Sequence, residues 1–400
     1  MGFDAIVVGA RCAGSPTAML LARAGHRVLL LDRGEFPSDT ISTHVIHQPG
    51  VAALARWGLL EQLRATGCPP LRHARYQVGD VRLAGCGRGV AGQRAGYAPR
   101  RFVLDDLLAR AAVAAGAELR EKCRVTGLVR DEDGRVVGVR GEHRGVEFTE
   151  RAALVVGADG MRSSVAAHAG AAFTTWDERL SCAYYSYWTG VPADLEIYEE
   201  PGSWVAATPT HGHATLVLTY FPQSRFRAVR ADARRAHLQR VRDTAPELFE
   251  RLQGGEQVER LRGSGDQQNF FREATGPGWV LVGDAGHHKD SITARGISDA
   301  FGQAESLARH ISGELDSPSR LDAALGGFAA ERDGALRPGY EATLSVARMV
   351  PPNEHRMALL RAIQRDEELT SIYFDAFAGA TDITALYTPR LRELLAEGLG

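Results

Sequence analysis

Four hundred residues with 44% apolar and 24% charged side chains make an ordinary globular composition, long enough for two or three core-forming units. A formal charge of -2 leaves no global field to hold the chain on nucleic acid or an anionic membrane, so the expected partners are small molecules. Five cysteines (Cys12, Cys68, Cys86, Cys123, Cys182) lack any CxxC or Cys/His metal spacing, which points to a cytoplasmic setting and no metal site. Every apolar run falls short of the roughly 18 residues a membrane helix needs, and the N-terminal residues lack the regions of a signal peptide, so neither export nor stable membrane insertion is expected.

The first predicted element is a buried parallel strand, AIVVGA at residues 5 to 10. It leads into Gly9-Ala10-Arg11-Cys12-Ala13-Gly14 and an Ala-rich helix that Gly25 ends. The order strand, tight turn, helix suits a pyrophosphate, because the first amides of a helix are unpaired and carry partial positive charge. Gly9 permits the turn and Gly14 lets helix and strand approach. Arg11 stands where the GxGxxG pattern has its middle glycine, so its side chain either points away or meets phosphate itself. The next strand, residues 28 to 31, delivers Asp32 and Arg33, and Asp32 falls where such folds bind an adenosine ribose. A purely structural strand-to-helix junction is the competing reading.

ALVVGADG (153 to 160) and WVLVGDAG (279 to 286) repeat the strand-then-turn pattern far downstream, which predicts one sheet assembled from distant segments. Between them, SCAYYSYWTG, SWVAATPT and HATLVLTYF read as an antiparallel sheet over about 176 to 222. Residues 225 to 253 turn helical with seven arginines between 225 and 242, read as a solvated face rather than a nucleic-acid helix. Beyond residue 300 the pattern is helical to the end, with breaks near Pro338 and at Pro351-Pro352. The last fifty residues either cap a substrate cavity or form a homodimer contact.

Taken together, GxRxAG, GADGMRSSV and GDAGHH resemble the flavoprotein monooxygenase superfamily built on the para-hydroxybenzoate hydroxylase fold, to which geranylgeranyl reductases and flavin-dependent halogenases are related. The resemblance spans about residues 1 to 345. It implies an α/β chain (α+β overall): a discontinuous Rossmann-type FAD-binding domain (1-75, 96-175 and 265-345), an inserted antiparallel-sheet substrate domain (76-95 and 176-264) and a helical C-terminal segment (346-400). It implies FAD as cofactor, with NADPH or NADH as transient co-substrate. Gly9, Arg11, Ala13, Gly14, Asp32 and Arg33 would then serve the adenosine and pyrophosphate half. Arg101, with Arg100 as rival, would border the ribityl-phosphate region, and the backbone of Val125 would hold adenine. Asp159 is linked to both FAD and NAD(P)H. Gly283 and Asp284 would meet the ribityl hydroxyls, and Gly296 and Ile297 would open a helix whose amides face the flavin.

The loop HHKDSITAR (287 to 295) would border the flavin ring, and it carries Asp290 and Ser291 where family hydroxylases usually have proline. Asp290, if burial raised its pKa, and His44 are the two catalytic candidates, each with a bland alternative as a turn cap or a packing histidine. Of Trp176, Tyr184, Tyr185, Tyr187, Trp188, Trp204 and Tyr220, strand alternation lets about half line a flat apolar pocket for an aromatic or polycyclic substrate while the others pack into the core. The resemblance thus implies a monooxygenase of secondary metabolism, using dioxygen through a flavin C4a-hydroperoxide to hydroxylate or epoxidise an apolar molecule. A hydride-transferring reductase of the geranylgeranyl type is the alternative. A halogenase is disfavoured by the lack of a WxWxIP motif and by the positions of the only lysines, Lys122 and Lys289.

Overall fold

The computed structural model describes residues 2–397. Strands far apart in the sequence lie side by side: Trp279–Leu281, Val146–Gly157, Phe3–Val8, Val28–Leu31 and Glu118–Arg120 form a parallel sheet in that order. The register puts Val8 beside Gly157 and Gly157 beside Leu281, so all three motif loops leave one edge of one sheet. These strands are aliphatic at nearly every position because both faces are covered. Ala5, Val7, Leu30, Leu154 and Val280 pack toward the helices Gly14–Arg23, Arg101–Ala114 and Gly296–Ile311, while Ile6, Leu29, Val155 and Leu281 fill a second core. The antiparallel strands Cys123–Arg130 and Val136–His143 extend the first half of Val146–Gly157.

The insert is an eight-stranded sheet that includes Ala74–Val78, Val81–Gly85, Ser181–Thr189, Leu195–Glu200, Ser203–Pro209 and Thr215–Pro222. It is antiparallel except where Ala74–Val78 joins Leu195–Glu200 in parallel, a pairing between separate pieces of chain that needs no hairpin turn. Alternation sorts its aromatics. Tyr185, Tyr187, Trp204 and Tyr220 share one core, whereas Tyr184 and Trp188 face the helices that cover the other side.

The C-terminal helices Glu354–Gln364, Glu367–Ala378 and Pro389–Glu397 enter the same core as Tyr185 and Trp204 through Leu360, Ile363, Ile372, Phe374 and Leu391. Buried Glu199 fixes them further, accepting from Tyr76 Oη at 2.5 Å and pairing with Arg356 at 2.6 Å. One expectation is corrected: no break occurs at Pro338, which lies inside the single helix Pro318–Ala347. The proline costs roughly 3 kcal/mol in a helix interior. Buried Leu325 and Phe328 before it, and Tyr340 and Leu344 after it, each contribute roughly 1.5–3 kcal/mol and hold both halves in line. Among the described residues, no helix is long and apolar enough to cross a membrane, and no cluster of His, Cys, Asp and Glu could hold a metal.

Candidate functional site

The first turn is built so that only hydrogen fits at its glycines. Gly9 has φ +102°, and a Cβ there would lie 2.4 Å from the Ala158 carbonyl oxygen; one on Gly14 would lie 1.7 Å from the Gly9 oxygen. The amides of Arg11, Cys12 and Ala13 donate to no acceptor among the described residues and stand at the positive end of the helix Gly14–Arg23. That is a ready site for a pyrophosphate. Asp32 is fixed beside it, accepting from the Ala10 and Gly34 amides at 2.7 Å each, with lone pairs left over for a ribose. Arg33 is exposed and makes no side-chain hydrogen bond among the described residues.

Arg11 turns away from the turn. Its guanidinium meets Asp105 at 2.5 Å and Ser38 Oγ at 3.0 Å, which frees the space a middle glycine would normally leave. Fully buried Asp105 also accepts from Arg101 Nε at 3.0 Å and from Cys12 Sγ at 3.3 Å. Burial opposes the charge on Arg101, but Cys12, Asp105 and Asp284 outweigh it and hold the group above the ordinary arginine range. Asp105 is thus the hub of the cradle. Its i, i+4 spacing from Arg101 was the only sequence signal for that, and the same spacing also fits an ordinary surface pair. Arg100 faces elsewhere, binding Asp39 at 3.1 Å and Glu259 at 2.7 Å and lying 3.9 Å over the Tyr187 ring.

The third strand closes against the first turn, since a Cβ on Gly283 would come within 2.7 Å of Ala13 Cβ. Asp284 next to it is exposed and accepts no hydrogen bond among the described residues. Gly296 is exposed at the start of Gly296–Ile311, with open space around it, and Ile297 is buried behind. Val125 lies on the strand whose Cys123 amide donates to the Asp32 carbonyl at 2.8 Å. Asp159 builds its own turn, accepting from the Ser164 and Val165 amides and the Ser163 hydroxyl at 2.6, 3.2 and 2.5 Å.

A narrow, partly open apolar cleft with a cavity volume of about 30 Å³ lies between the aromatic face of the insert and the turn before Gly296. Its walls include Val45, His47, Trp204, Tyr220, Ile292 and, from the C-terminal helices, Phe377. Sequence reasoning missed Phe377, because nothing in a helical run of Leu, Ile and Phe marks which residue reaches across. Burial lowers His47 to about 4. His44 next door has φ +64°, gives Nε2 to a 2.5 Å contact with Tyr187 Oη, and leaves Nδ1 buried without a partner. Burial, aided by the charges of Arg101 and Arg100, lowers it to about 3, so the ring is neutral at pH 7.

Asp290 is buried and burial raises its pKa, but its oxygens serve Ser181 Oγ at 2.6 Å and the Ile292 amide at 3.1 Å. It is a turn cap outside the pocket lining. Of the sequence-chosen aromatics, Trp204 and Tyr220 reach the pocket, Tyr184 and Trp188 lie on the far face of the sheet, and Trp176 is exposed. Lys289 pairs with Asp299, and Lys122 with Glu35 on the surface.

Bare amides over a glycine turn, a carboxylate at the second strand end and a free carboxylate at a third form an arrangement suited to a dinucleotide cofactor: the amides can donate to phosphates, and the carboxylates can accept from ribose and ribityl hydroxyls. A family model described as an FAD binding domain matches residues 3–325. The chain belongs to this FAD-binding family, and the protein is an FAD-dependent oxidoreductase. It is 27% identical over 355 residues to the digeranylgeranylglycerophospholipid reductase of Methanocella arvoryzae, covering 87% of each chain. Its fold is similar to that of the myxobacterial chondrochloren halogenase CndH, with TM-score 0.78 and 24% identity over 99% of this chain and 96% of that one. It is similar also to PqsL of Pseudomonas aeruginosa, described as a probable FAD-dependent monooxygenase, with TM-score 0.72 and 20% identity over 94% and 99% of the two chains.

Proposed function

We propose that the protein is an NAD(P)H-consuming monooxygenase that places one oxygen atom of dioxygen on an apolar, aromatic or polycyclic small molecule. The observation that carries this reading is the apolar pocket: Trp204 and Tyr220 offer flat faces, and Ile292 and Phe377 shield the space from water. FAD, when bound, would supply two-electron redox chemistry between NADPH or NADH and dioxygen. The amides of Arg11 to Ala13, with Arg101, Asp32 and Asp284, would hold its phosphates and hydroxyls. His44, neutral at pH 7, would hold its one proton at Nδ1, its ring fixed by Tyr187, which in turn lies under the Arg100 guanidinium. None of the five cysteines is disulfide-bonded, in keeping with a cytoplasmic enzyme.

A second reading is favoured by the relatives named as reductases and by Asp290-Ser291 in place of the hydroxylase proline: hydride transfer to a carbon–carbon double bond without oxygen insertion. Turnover under labelled dioxygen separates them. Label in the product with matched NAD(P)H and dioxygen consumption supports the first; a product that gains two hydrogens under strict anaerobiosis overturns it in favour of the second.

A further inference from the structure

A second cavity, of about 240 Å³, lies on the face of the insert sheet opposite the cleft. Neighbouring residues of Thr215–Pro222 divide the two: Tyr220 lines the cleft, and Phe221 packs with Cys182, Tyr184 and Val229 on the far side. Space of that size admits several waters, where roughly 10–15 Å³ admits one. Apolar Phe221, Val229 and Ala236 line it together with the charged Arg225, Arg240 and Asp243. The helices around it, Phe226–Ala231 and Ala233–Thr244, belong to the arginine-rich segment, which takes no part in the FAD cradle or the cleft. Between residues 225 and 244 the chain has seven arginines and two aspartates, a local charge of +5 in a protein whose total is -2. Both aspartates are committed. Asp232 caps a helix by accepting from the Arg235 amide at 3.1 Å, and Asp243 accepts from Gln239 Nε2 at 2.7 Å. Exposed Arg225 makes no hydrogen bond and no salt bridge among the described residues. Arg240 is half-buried, its guanidinium 4.3 Å over the Phe221 ring, and Nη1 donates to the Gly202 carbonyl at 2.8 Å; its Nε and Nη2 donate to nothing among the described residues. Burial and the charge of Arg225 lower Arg240 to about 10, so it remains a cation at pH 7. Two guanidiniums thus share one cavity with a single carboxylate that Gln239 already holds.

We propose that this cavity is a binding site for a soluble phosphate-type oxyanion, inorganic phosphate or pyrophosphate, held by Arg225 and Arg240. A guanidinium fork matches phosphate oxygens two at a time, and stacking on Phe221 orients the Arg240 fork in advance. A doubly charged anion would satisfy both forks and relieve their mutual repulsion, which one halide charge does less well. Arg227, Arg230, Arg234 and Arg235 lie outside the cavity lining and raise the local concentration of anions around it. Because the sheet stands between this site and the cleft, the anion is a ligand of its own and not the molecule on which the flavin acts.

The test uses FAD-loaded protein, so that the cradle of the first turn is filled, and titrates inorganic phosphate, pyrophosphate and chloride by calorimetry at constant ionic strength. One phosphate or pyrophosphate per chain is expected, bound at least about tenfold more tightly than chloride, the scale of one charge-assisted hydrogen bond. Arg240→Gln and Arg225→Gln should each weaken binding by about tenfold or more, whereas Arg227→Gln, on the same surface but outside the cavity, should change it by less than about twofold. Affinity for both phosphates no better than for chloride overturns the inference. So do equal losses in Arg227→Gln and Arg225→Gln, which would mark a diffuse field and not a site. Vesicles of phosphatidylglycerol separate a free anion from a lipid head group: a wild type that binds vesicles but neither free anion also overturns it. If Arg240→Gln does not fold, Arg225→Gln decides, since exposed Arg225 has no hydrogen bond to lose among the described residues.

Discussion

Replacing Asp105 by asparagine keeps the shape of the side chain and removes the carboxylate that Arg11 and Arg101 both bind. Asp105 is fully buried, so the change strands two guanidinium groups around a neutral amide. Breaking a buried pair in this way costs about 3–5 kcal/mol. With an unfolding entropy near 2.1 cal/mol/K per residue, a chain of 400 residues should lose about 4–6 °C of melting temperature. The loss should shrink when FAD is present, because its pyrophosphate gives Arg101 another anion. The assay is thermal unfolding of apo and FAD-loaded protein, with Asp106→Asn as control. Asp106 binds Arg110, itself 77% exposed, and should shift the midpoint by less than about a degree. An apo Asp105→Asn protein that melts with wild type, or a loss no smaller with FAD, would refute the view of Asp105 as the hub of a phosphate site.

Three further outcomes follow from the same geometry. Gly14→Ala puts a Cβ on the Gly9 carbonyl and should lower FAD affinity by about a hundredfold or more, read by flavin fluorescence on titration. Phe377→Ala opens the pocket wall and, if the enzyme is a monooxygenase, should divert NAD(P)H oxidation into hydrogen peroxide; unchanged coupling of product to NAD(P)H argues against Phe377 as a water barrier. Burial lowers His44 to about 3, and His47 and His237 to about 4, from an ordinary 6.5. Below pH 6.5 the unfolded chain binds protons the folded one refuses, so stability falls as pH drops from there toward the folded values. Each histidine should contribute about 2 kcal/mol of loss between pH 7 and pH 5, seen as a lower urea midpoint.

The Rossmann half was legible because its signals are local and its three strands are aliphatic on both faces, with a glycine or aspartate turn after each. Only the register, Val8 to Gly157 to Leu281, had to come from the structure. Side-chain direction was not legible. Arg11 avoids the phosphate space because Asp105 and Ser38 lie to one side, a fact of tertiary packing. Asp159 and Asp290 sit in motifs shaped like ligand sites, yet nearby amides and hydroxyls take their oxygens first. Pro338 reads as a breaker by local propensity, and the buried residues on both sides override it. The parallel pairing of Ala74–Val78 with Leu195–Glu200, and the reach of Phe377 to the pocket, join segments whose sequence spacing carries no record of contact.

The central claim is that the ends of Phe3–Val8, Val28–Leu31 and Trp279–Leu281 form one FAD cradle with the Arg101 helix. Titrating apo protein with FAD, followed by calorimetry and by the visible spectrum, tests it most directly. The account predicts one FAD per chain, bound at micromolar concentration or tighter and released intact on denaturation. A folded chain that stays colourless and gives no binding heat at that concentration contradicts it.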